Sequence, residues 1–467
     1  MVQVVEDYTP VVNGTASTVK SRKTYQQAIV SSQPSLTASY LSQSLRFLQK
    51  LRSKENFTEE PRSSSHPTPA RLRLNIVVVG AGLGGLSLAI ALARRGHSVR
   101  VLEQASKLGE VGASIQIPPN SGRLLHRWGV FEYLEKWAVK PEGINFRRWE
   151  DGQAIGYTAL GKTFQADFNV PYYVVHRAHF HEALHQRASQ LGVAVELHSR
   201  VVGYSEQKSS VVLDSGTTIQ GDLVIAADDS RIKSKARQAI HPGLCQDPQF
   251  NGFAAYRATV DVQKMQNSPE IAWLLEKPSL NIRIGEDRHV MTYTIAAGES
   301  FNMVLSHIDR SEPATWTEKF AKEHIQQEFT RLVIIGDAAH AMLPYMSQGA
   351  AMAVEDGAAL AVALNHISTI DELPFVLRAF EKERIKRSSD MQNASTVNGL
   401  IWHFADGPEQ RARDTSMAAE VVGSPFTSSA NQWSDPVTQW WAYGYDAESK
   451  MEEAWDEAVR ALIMRAG

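Results

Sequence analysis

An α/β fold of two interleaved parts with a helical tail is what this sequence predicts, on three observations. Residues 75–80 are an apolar run, Asn75-Ile-Val-Val-Val-Gly80, which breaks into Ala-Gly82-Leu-Gly-Gly85 and an Ala/Leu-rich stretch. A second apolar run, Arg331-Leu-Val-Ile-Ile-Gly336, also closes on glycine far downstream. Between the two runs lie β-rich stretches, and beyond residue 386 the chain reads as mainly helical.

The first run carries the strongest signal. Residues 75–80 read as a buried strand, 84–95 as a helix and Ser98-Val-Arg-Val-Leu-Glu103 as a second strand. This βαβ context gives the Gly-x-Gly-x-x-Gly pattern its meaning. Gly80 allows the tight turn, Gly82 lets the backbone approach a pyrophosphate, and Gly85 permits close packing of helix on strand. The helix start offers free N–H groups and the positive end of a dipole to phosphates. Glu103 ends the second strand, where a carboxylate accepts hydrogen bonds from ribose hydroxyls. The pattern predicts dinucleotide binding and does not separate NAD from FAD.

In the second run Asp337 follows the strand, placed to accept hydrogen bonds from a polyol such as ribitol. An apolar helix over 351–364 would point its N-terminus at whatever Asp337 binds, favouring negative charge there. Two such motifs in one chain suggest a single long cofactor held from both ends, as FAD is held.

The bulk composition narrows the rest. At 467 residues the chain has room for two or three domains. Its 48 basic and 51 acidic residues leave a net charge of −3, so no basic excess argues for nucleic acid. Cys245 is the single cysteine, which rules out an intramolecular disulfide and a cysteine-rich metal site; no metal is expected. That usage fits a reducing compartment, and the cytoplasm is the expected location. The longest apolar run, 76–93, falls inside the βαβ unit, so no transmembrane segment is expected. Residues 1–70 read as an extension. From Tyr8 to Lys54 there are seven basic residues and no acidic one, which leaves mitochondrial targeting as the alternative.

The run 336–356, Gly-Asp-Ala-Ala-His-x-Met-x-Pro-Tyr-x-x-Gln-Gly-Ala-x-Met-Ala-x-Glu-Asp, resembles the flavin loop of single-component (group A) FAD-dependent aromatic monooxygenases. Within them the chain is most similar to the fungal salicylate hydroxylase-like subgroup. The stretch Leu108–Asn120, the segment Asn398-Gly-Leu with Asp406-Gly-Pro-Glu-Gln, and Ser434-Asp-Pro with Trp441-Ala-Tyr-Gly-Tyr-Asp446 carry the same resemblance.

The resemblance implies a Rossmann-type FAD-binding domain interleaved with a smaller β-sheet substrate domain, the aromatic hydroxylase fold. The FAD-binding parts would be 71–143, 176–240 and 331–385. The substrate parts would be 144–175 and 241–330, with 386–467 a helical tail. FAD would be the cofactor and NADPH or NADH the co-substrate. O2 would supply one oxygen atom to a small phenolic or aromatic substrate, in fungal secondary metabolism. Beside Gly80, Gly82, Gly85, Glu103 and Asp337, the cofactor-binding residues would be Ala113, Ser114, Arg177, Asp228, Gly349 and Ala350. Pro344 would present its carbonyl to the substrate pocket. Arg231 and Tyr256 resemble an Arg/Tyr pair that binds the phenol, and His340 is read as structural. The run Gln439-Trp440-Trp441 is read as packing or a homodimer contact.

Two features depart from the pattern. The middle motif normally reads Ala-Asp-Gly, and here it is Ala227-Asp228-Asp229. Asp tolerates left-handed geometry, but its charge near phosphates should weaken FAD or NAD(P)H binding. The stretch between Ser306 and Gly336 is also shorter than in relatives, by about forty residues, more than loop variation usually explains. These departures keep two alternatives open: a flavin-binding paralogue of low or no activity, and a same-fold flavoprotein epoxidase or oxidase.

Overall fold

The computed structural model describes residues 67–109, 114–205, 208–228, 234–240, 253–308 and 331–466. The expected extension up to residue 66, Ala113, Asp229, Arg231, Cys245 and the segment 309–330 lie outside the described residues.

The chain begins with the βαβ unit the glycines require: β1 (Asn75–Val79), α1 (Leu83–Ala93) and β2 (Ser98–Leu102). The β-branched run of β1 is buried on both faces, as a central parallel strand demands. Next come β3 (Ser114–Ile117) and α2 (Pro119–Arg127), then the antiparallel pair β4 (Gly143–Arg148) and β5 (Ala154–Ala159). β6 (Tyr173–His176) returns to pair with β3 and leads into α3 (Arg177–Gln190). β7 (Ala194–Glu196) joins the edge of the parallel sheet. β8 (Val201–Ser205), β9 (Ser210–Leu213) and β10 (Thr218–Gln220) form a small antiparallel sheet. β11 (Leu223–Ala226) then pairs with β1, and α4 (Lys235–Ile240) follows.

A second sheet takes its long strands from the middle of the chain: β12 (Phe253–Asp261), β13 (Ser279–Gly285), β14 (Arg288–Ile295) and β15 (Ser300–Ile308). Its order is β12-β15-β14-β13-β4-β5, with β12 at one end. The chain returns to the parallel sheet as β16 (Leu332–Ile334), giving the order β16-β11-β1-β2-β7. Residues more than a hundred positions apart thus sit on adjacent strands of one sheet.

Helices close the chain: α5 (Gly349–Leu364), α6 (Leu373–Trp402), α7 (Pro408–Val421), α8 (Pro436–Tyr443) and α9 (Ala447–Ala466). α6 runs unbroken through residues 385 and 386, so no break in the chain marks the start of the expected tail. α5 is buried on almost every face and packs against α1. The two helices approach through small residues: a Cβ on Gly357 would lie 2.9 Å from Leu88 Cα, and one on Gly84 3.2 Å from Ala353 Cβ. The crossing sets both helix N-termini on one side of the parallel sheet, at its carboxyl ends, where α/β folds bind ligands. Among the described residues no helix is long and apolar enough to cross a membrane.

Candidate active site

The first glycine turn is fixed by backbone lying on backbone. Gly80 has φ +102°, and a Cβ there would lie 2.4 Å from the Ala227 carbonyl oxygen. A Cβ on Gly85 would lie 2.0 Å from the Gly80 oxygen. Neither contact can be relieved by a side-chain rotation, so both positions require glycine. Gly82 is the N-cap of α1, without a side-chain cap and with no acid in the first turn. The first N–H groups of the helix are left for an anion. Glu103 accepts hydrogen bonds from the Ala81 and Ala105 N–H groups at 2.9 and 2.8 Å. Each carboxylate oxygen retains a lone pair for a ribose hydroxyl. His181 Nε2 donates to the Ala81 carbonyl at 2.7 Å, so the Ala81 peptide is held on both sides. Burial lowers the His181 pKa. This residue stands in the His-rich start of α3, but its role is not visible in the sequence, because its partner is a backbone carbonyl 100 residues away.

The middle motif is an anchor. Asp228 accepts from Ser234 Oγ at 2.7 Å, Lys235 N at 3.1 Å and Tyr204 Oη at 3.2 Å. Its carboxylate caps α4 and does not line the cleft, whereas Ala227 does. Arg237 of α4 then donates from Nε to the Ala338 carbonyl at 2.7 Å and from Nη2 to the Asp337 carbonyl at 2.9 Å. The middle motif is thereby tied to the second glycine turn.

At that turn Gly336 has φ +64°, and Asp337 faces the cleft. Beyond the Pro344 turn, Gly349 and Ala350 open α5. The first intrahelical bond is made by Met352 N–H to Gln348, so the N–H groups ahead of it have no helical partner. A Cβ on Gly349 would meet open space. Beneath this loop lies a buried charge network. Asp356 Oδ2 accepts from His340 Nε2 at 2.6 Å and from Gly336 N–H at 3.0 Å, while Oδ1 accepts from Arg384 Nε at 2.8 Å. Glu355 accepts from Arg384, Arg387 and Asn120 at 2.9, 3.0 and 2.7 Å. Burial alone would raise the Asp356 pKa, but His340 and Arg384 hold it well below the carboxylate range. Burial would lower that of His340, but the Asp356 charge raises it.

The two glycine ends open into one cleft of about 340 Å³. Gly82, Arg177, Asp337, Gly349 and Ala350 line its cofactor side. Ser114 lines it too, its Oγ sharing a 2.5 Å hydrogen bond with Tyr293 Oη. Pro344 and its neighbours form the roof, and Arg257, His289 and Tyr293 belong to the sheet wall. The residues fit a flavin dinucleotide: two uncapped helix starts, two strand-end carboxylates, and glycines where any Cβ would strike backbone.

Tyr256, expected as a catalytic side chain, does not line the cleft. It is 65% exposed and stacks on His307, ring centroids 5.3 Å apart. Side chains alternate along a strand, so Ala255 and Arg257 of β12 face the cleft and Tyr256 faces away. Arg257 has no hydrogen-bond or ion-pair partner among the described residues. The tail tryptophans pack within the chain: Trp440 lies 4.9 Å from Phe168 and the Arg387 guanidinium lies 4.9 Å over Trp441.

A model of the family described as the FAD binding domain matches residues 73–330 and 313–395. The FAD-dependent monooxygenase OpS4 of Beauveria bassiana is 34% identical over 409 residues, covering 79% of this chain and 94% of that protein. The 3-hydroxybenzoate 6-hydroxylase of Polaromonas naphthalenivorans is 30% identical over 367 residues, 71% of this chain and 88% of that one. A solved salicylate hydroxylase substrate complex superposes with a TM-score of 0.64 at 22% identity, covering 82% of this chain and 98% of the other, a likeness of fold. The Beauveria match runs over 409 positions but takes up 79% of 467 residues, about 369, so about 40 aligned positions have no counterpart in this chain. The chain belongs to the FAD-binding-domain family and is an FAD-dependent monooxygenase of the single-component aromatic hydroxylase kind.

Proposed function

We propose that the protein hydroxylates a small phenolic acid, with NADPH or NADH as reductant and O2 as the oxygen source. The observation that carries this reading is the single cleft whose one side holds Gly82, Asp337, Gly349 and Ala350 and whose other side is the Arg257–His289 sheet wall. Bound and reduced FAD supplies the chemistry that activates O2 and delivers one of its atoms to an electron-rich ring. The chain's own residues bind and orient. Glu103 takes the ribose hydroxyls, Asp337 the ribitol, and the α1 start the pyrophosphate. The N–H groups of Gly349 and Ala350 face the negative edge of the reduced ring system. Arg177 lies along the cofactor side, and the Pro344 carbonyl faces the substrate.

Arg257, which lines the sheet wall of the cleft, takes the anionic group of the substrate. Met291 and Val304 give that wall its apolar surface and exclude water from the reacting ring. The FAD-dependent monooxygenases of Beauveria bassiana and Arthrinium, at 34% and 32% identity, support an oxygen-transfer reaction here.

The test is the flavin absorbance of the FAD-loaded protein, followed after NADPH is added with and without hydroxybenzoates. Bleaching that one acid accelerates, with a hydroxylated product, is the expected result. A second reading, a flavin-binding protein with little turnover, draws support from Asp229 and from the about 40 unmatched positions. It predicts flavin binding with no acceleration by any acid.

A further inference from the structure

His289 and His403 stand 114 residues apart in sequence and share a 2.9 Å hydrogen bond from Nδ1 of the first to Nε2 of the second. The direction of that bond is dictated by the backbone. His403 follows the last turn of α6, and its Nδ1 lies 2.7 Å from the Gly399 carbonyl. Carbonyls in a helix's last turn lack intrahelical partners. A carbonyl accepts only, so His403 Nδ1 carries the proton and its Nε2 is the acceptor. His289 must therefore donate from Nδ1, which leaves its own Nε2 with a lone pair. Among the described residues that nitrogen has no partner, and His289 lines the cleft on β14, opposite Ser306 of β15.

The surroundings hold both rings in place and neutral. Tyr345 and Trp402 meet His289 edge to face, with centroids 5.7 and 5.5 Å away. Phe253 lies 4.7 Å from His403. Burial pushes His289 down to about 3 and His403 to about 4. The charge acting on His403 is Arg413, which also disfavours the imidazolium.

We propose that His289 is a further catalytic residue whose Nε2 accepts a hydrogen bond from the substrate's hydroxyl, and that His403 is the positioning residue that fixes that nitrogen as an acceptor. This rests on the hydroxylase reading above. It narrows the substrate class to a phenol that is un-ionised at the hydroxyl and carries its anionic group elsewhere, towards Arg257. No proton changes hands on binding. The O–H bond stays intact, and the lone pair of Nε2 draws on its hydrogen, raising electron density on the phenolic oxygen and the ring. A carboxylate or phenolate presented to His289 would meet a lone pair and be rejected.

The experiment measures Kd on the FAD-loaded protein by calorimetry for ortho-, meta- and para-hydroxybenzoate and for the methyl ether of each. The expected result is one isomer that binds about tenfold or more tightly than its ether, with His289→Phe bringing that ratio to within about twofold. His289→Leu reads the same ratio if the Phe variant does not fold. His403→Phe should lower the ratio and His403→Gln, which keeps an acceptor for His289 Nδ1, should restore it; a merely structural role would not move it in this order. A ratio unchanged in His289→Phe and His289→Leu overturns the proposal, as does a wild type that binds no acid or treats every acid and ether alike. NADPH oxidation in the same samples separates the two readings. A discriminating wild type without stimulated oxidation sinks the hydroxylase reading and leaves the acceptor standing; stimulated oxidation without discrimination does the reverse.

Discussion

Asp356 and His340 meet through a 2.6 Å hydrogen bond under the turn that presents Asp337, and the same carboxylate oxygen holds the Gly336 N–H. One buried carboxylate thus joins a helix, a charge pair and a glycine turn. Asp356→Asn would remove the negative charge that Arg384 and His340 face while leaving both buried. Breaking a buried pair in this way costs about 3–5 kcal/mol. Urea unfolding of the variant should show a loss of that size, with FAD affinity falling alongside it in a flavin titration.

The same residues set how stability depends on pH. The His340 pKa is raised in the fold, so its contribution is complete below its ordinary value of 6.5 and is lost as pH rises through the folded value. Asp356 is depressed, so its contribution is present above 3.8 and is lost as pH falls through the folded value. Other histidines pull the opposite way from His340, among them His97, His289 and His403. Burial lowers His97 to about 4, His289 to about 3 and His403 to about 4. The unfolded chain binds protons at these sites below 6.5 while the folded chain does not, so stability falls as pH drops from there towards 4. Thermal melts across that window should show a progressive decline, made shallower in His97→Asn.

Gly80→Ala places a methyl group 2.4 Å from the Ala227 carbonyl oxygen at a φ of +102°. Overpacking against backbone costs roughly 1–3 kcal/mol, with the backbone strain added to it. The purified variant should be colourless after incubation with FAD and should melt below the wild type. A yellow variant with unchanged melting would show that the turn is not the cofactor's seat.

Arg257 and Tyr256 are adjacent in sequence and opposite in placement, which makes them a matched pair for kinetics. Losing a charge-assisted hydrogen bond costs about 1.5–3 kcal/mol. Arg257→Gln should therefore raise KM for a phenolic acid roughly ten- to hundredfold. Tyr256→Phe should leave KM and kcat within about twofold.

The resemblance expects glycine where Asp229 stands, and a carboxylate added near bound phosphates would oppose cofactor binding by like-charge repulsion. Asp229→Gly should tighten FAD severalfold, read as a lower Kd in a fluorescence titration at low salt, with a smaller gain at high salt.

What the sequence made legible was backbone geometry. Gly80 and Gly85 announce a βαβ turn because no other residue survives contacts of 2.4 and 2.0 Å with a carbonyl oxygen, and that constraint is local. The face of β12 was not legible. Its run Phe-Ala-Ala-Tyr-Arg-Ala-Thr-Val-Asp has small or polar residues on both sides and no apolar alternation to fix which side is inward. The resemblance points to Tyr256, and nothing in the pattern of the run corrects it to Arg257, the residue that lines the cleft. The His289–His403 pair was invisible for another reason: its two members come from a strand and a helix end 114 residues apart, and its polarity depends on the Gly399 carbonyl. The Glu355-Asp356 pair stood within the resembling motif, but its arginine partners lie 28–32 residues on, along α6.

Asp228 and Ser234 are joined by a 2.7 Å hydrogen bond, and Arg237 fastens the helix that follows to the second glycine turn. The five positions between those anchors can then be treated as a cassette. Exchanging residues 229–233 for the matching stretch of an active relative leaves both attachment points, and the turn that Arg237 holds, under the same restraints. Such an exchange tests what that stretch contributes without rebuilding the scaffold that surrounds it.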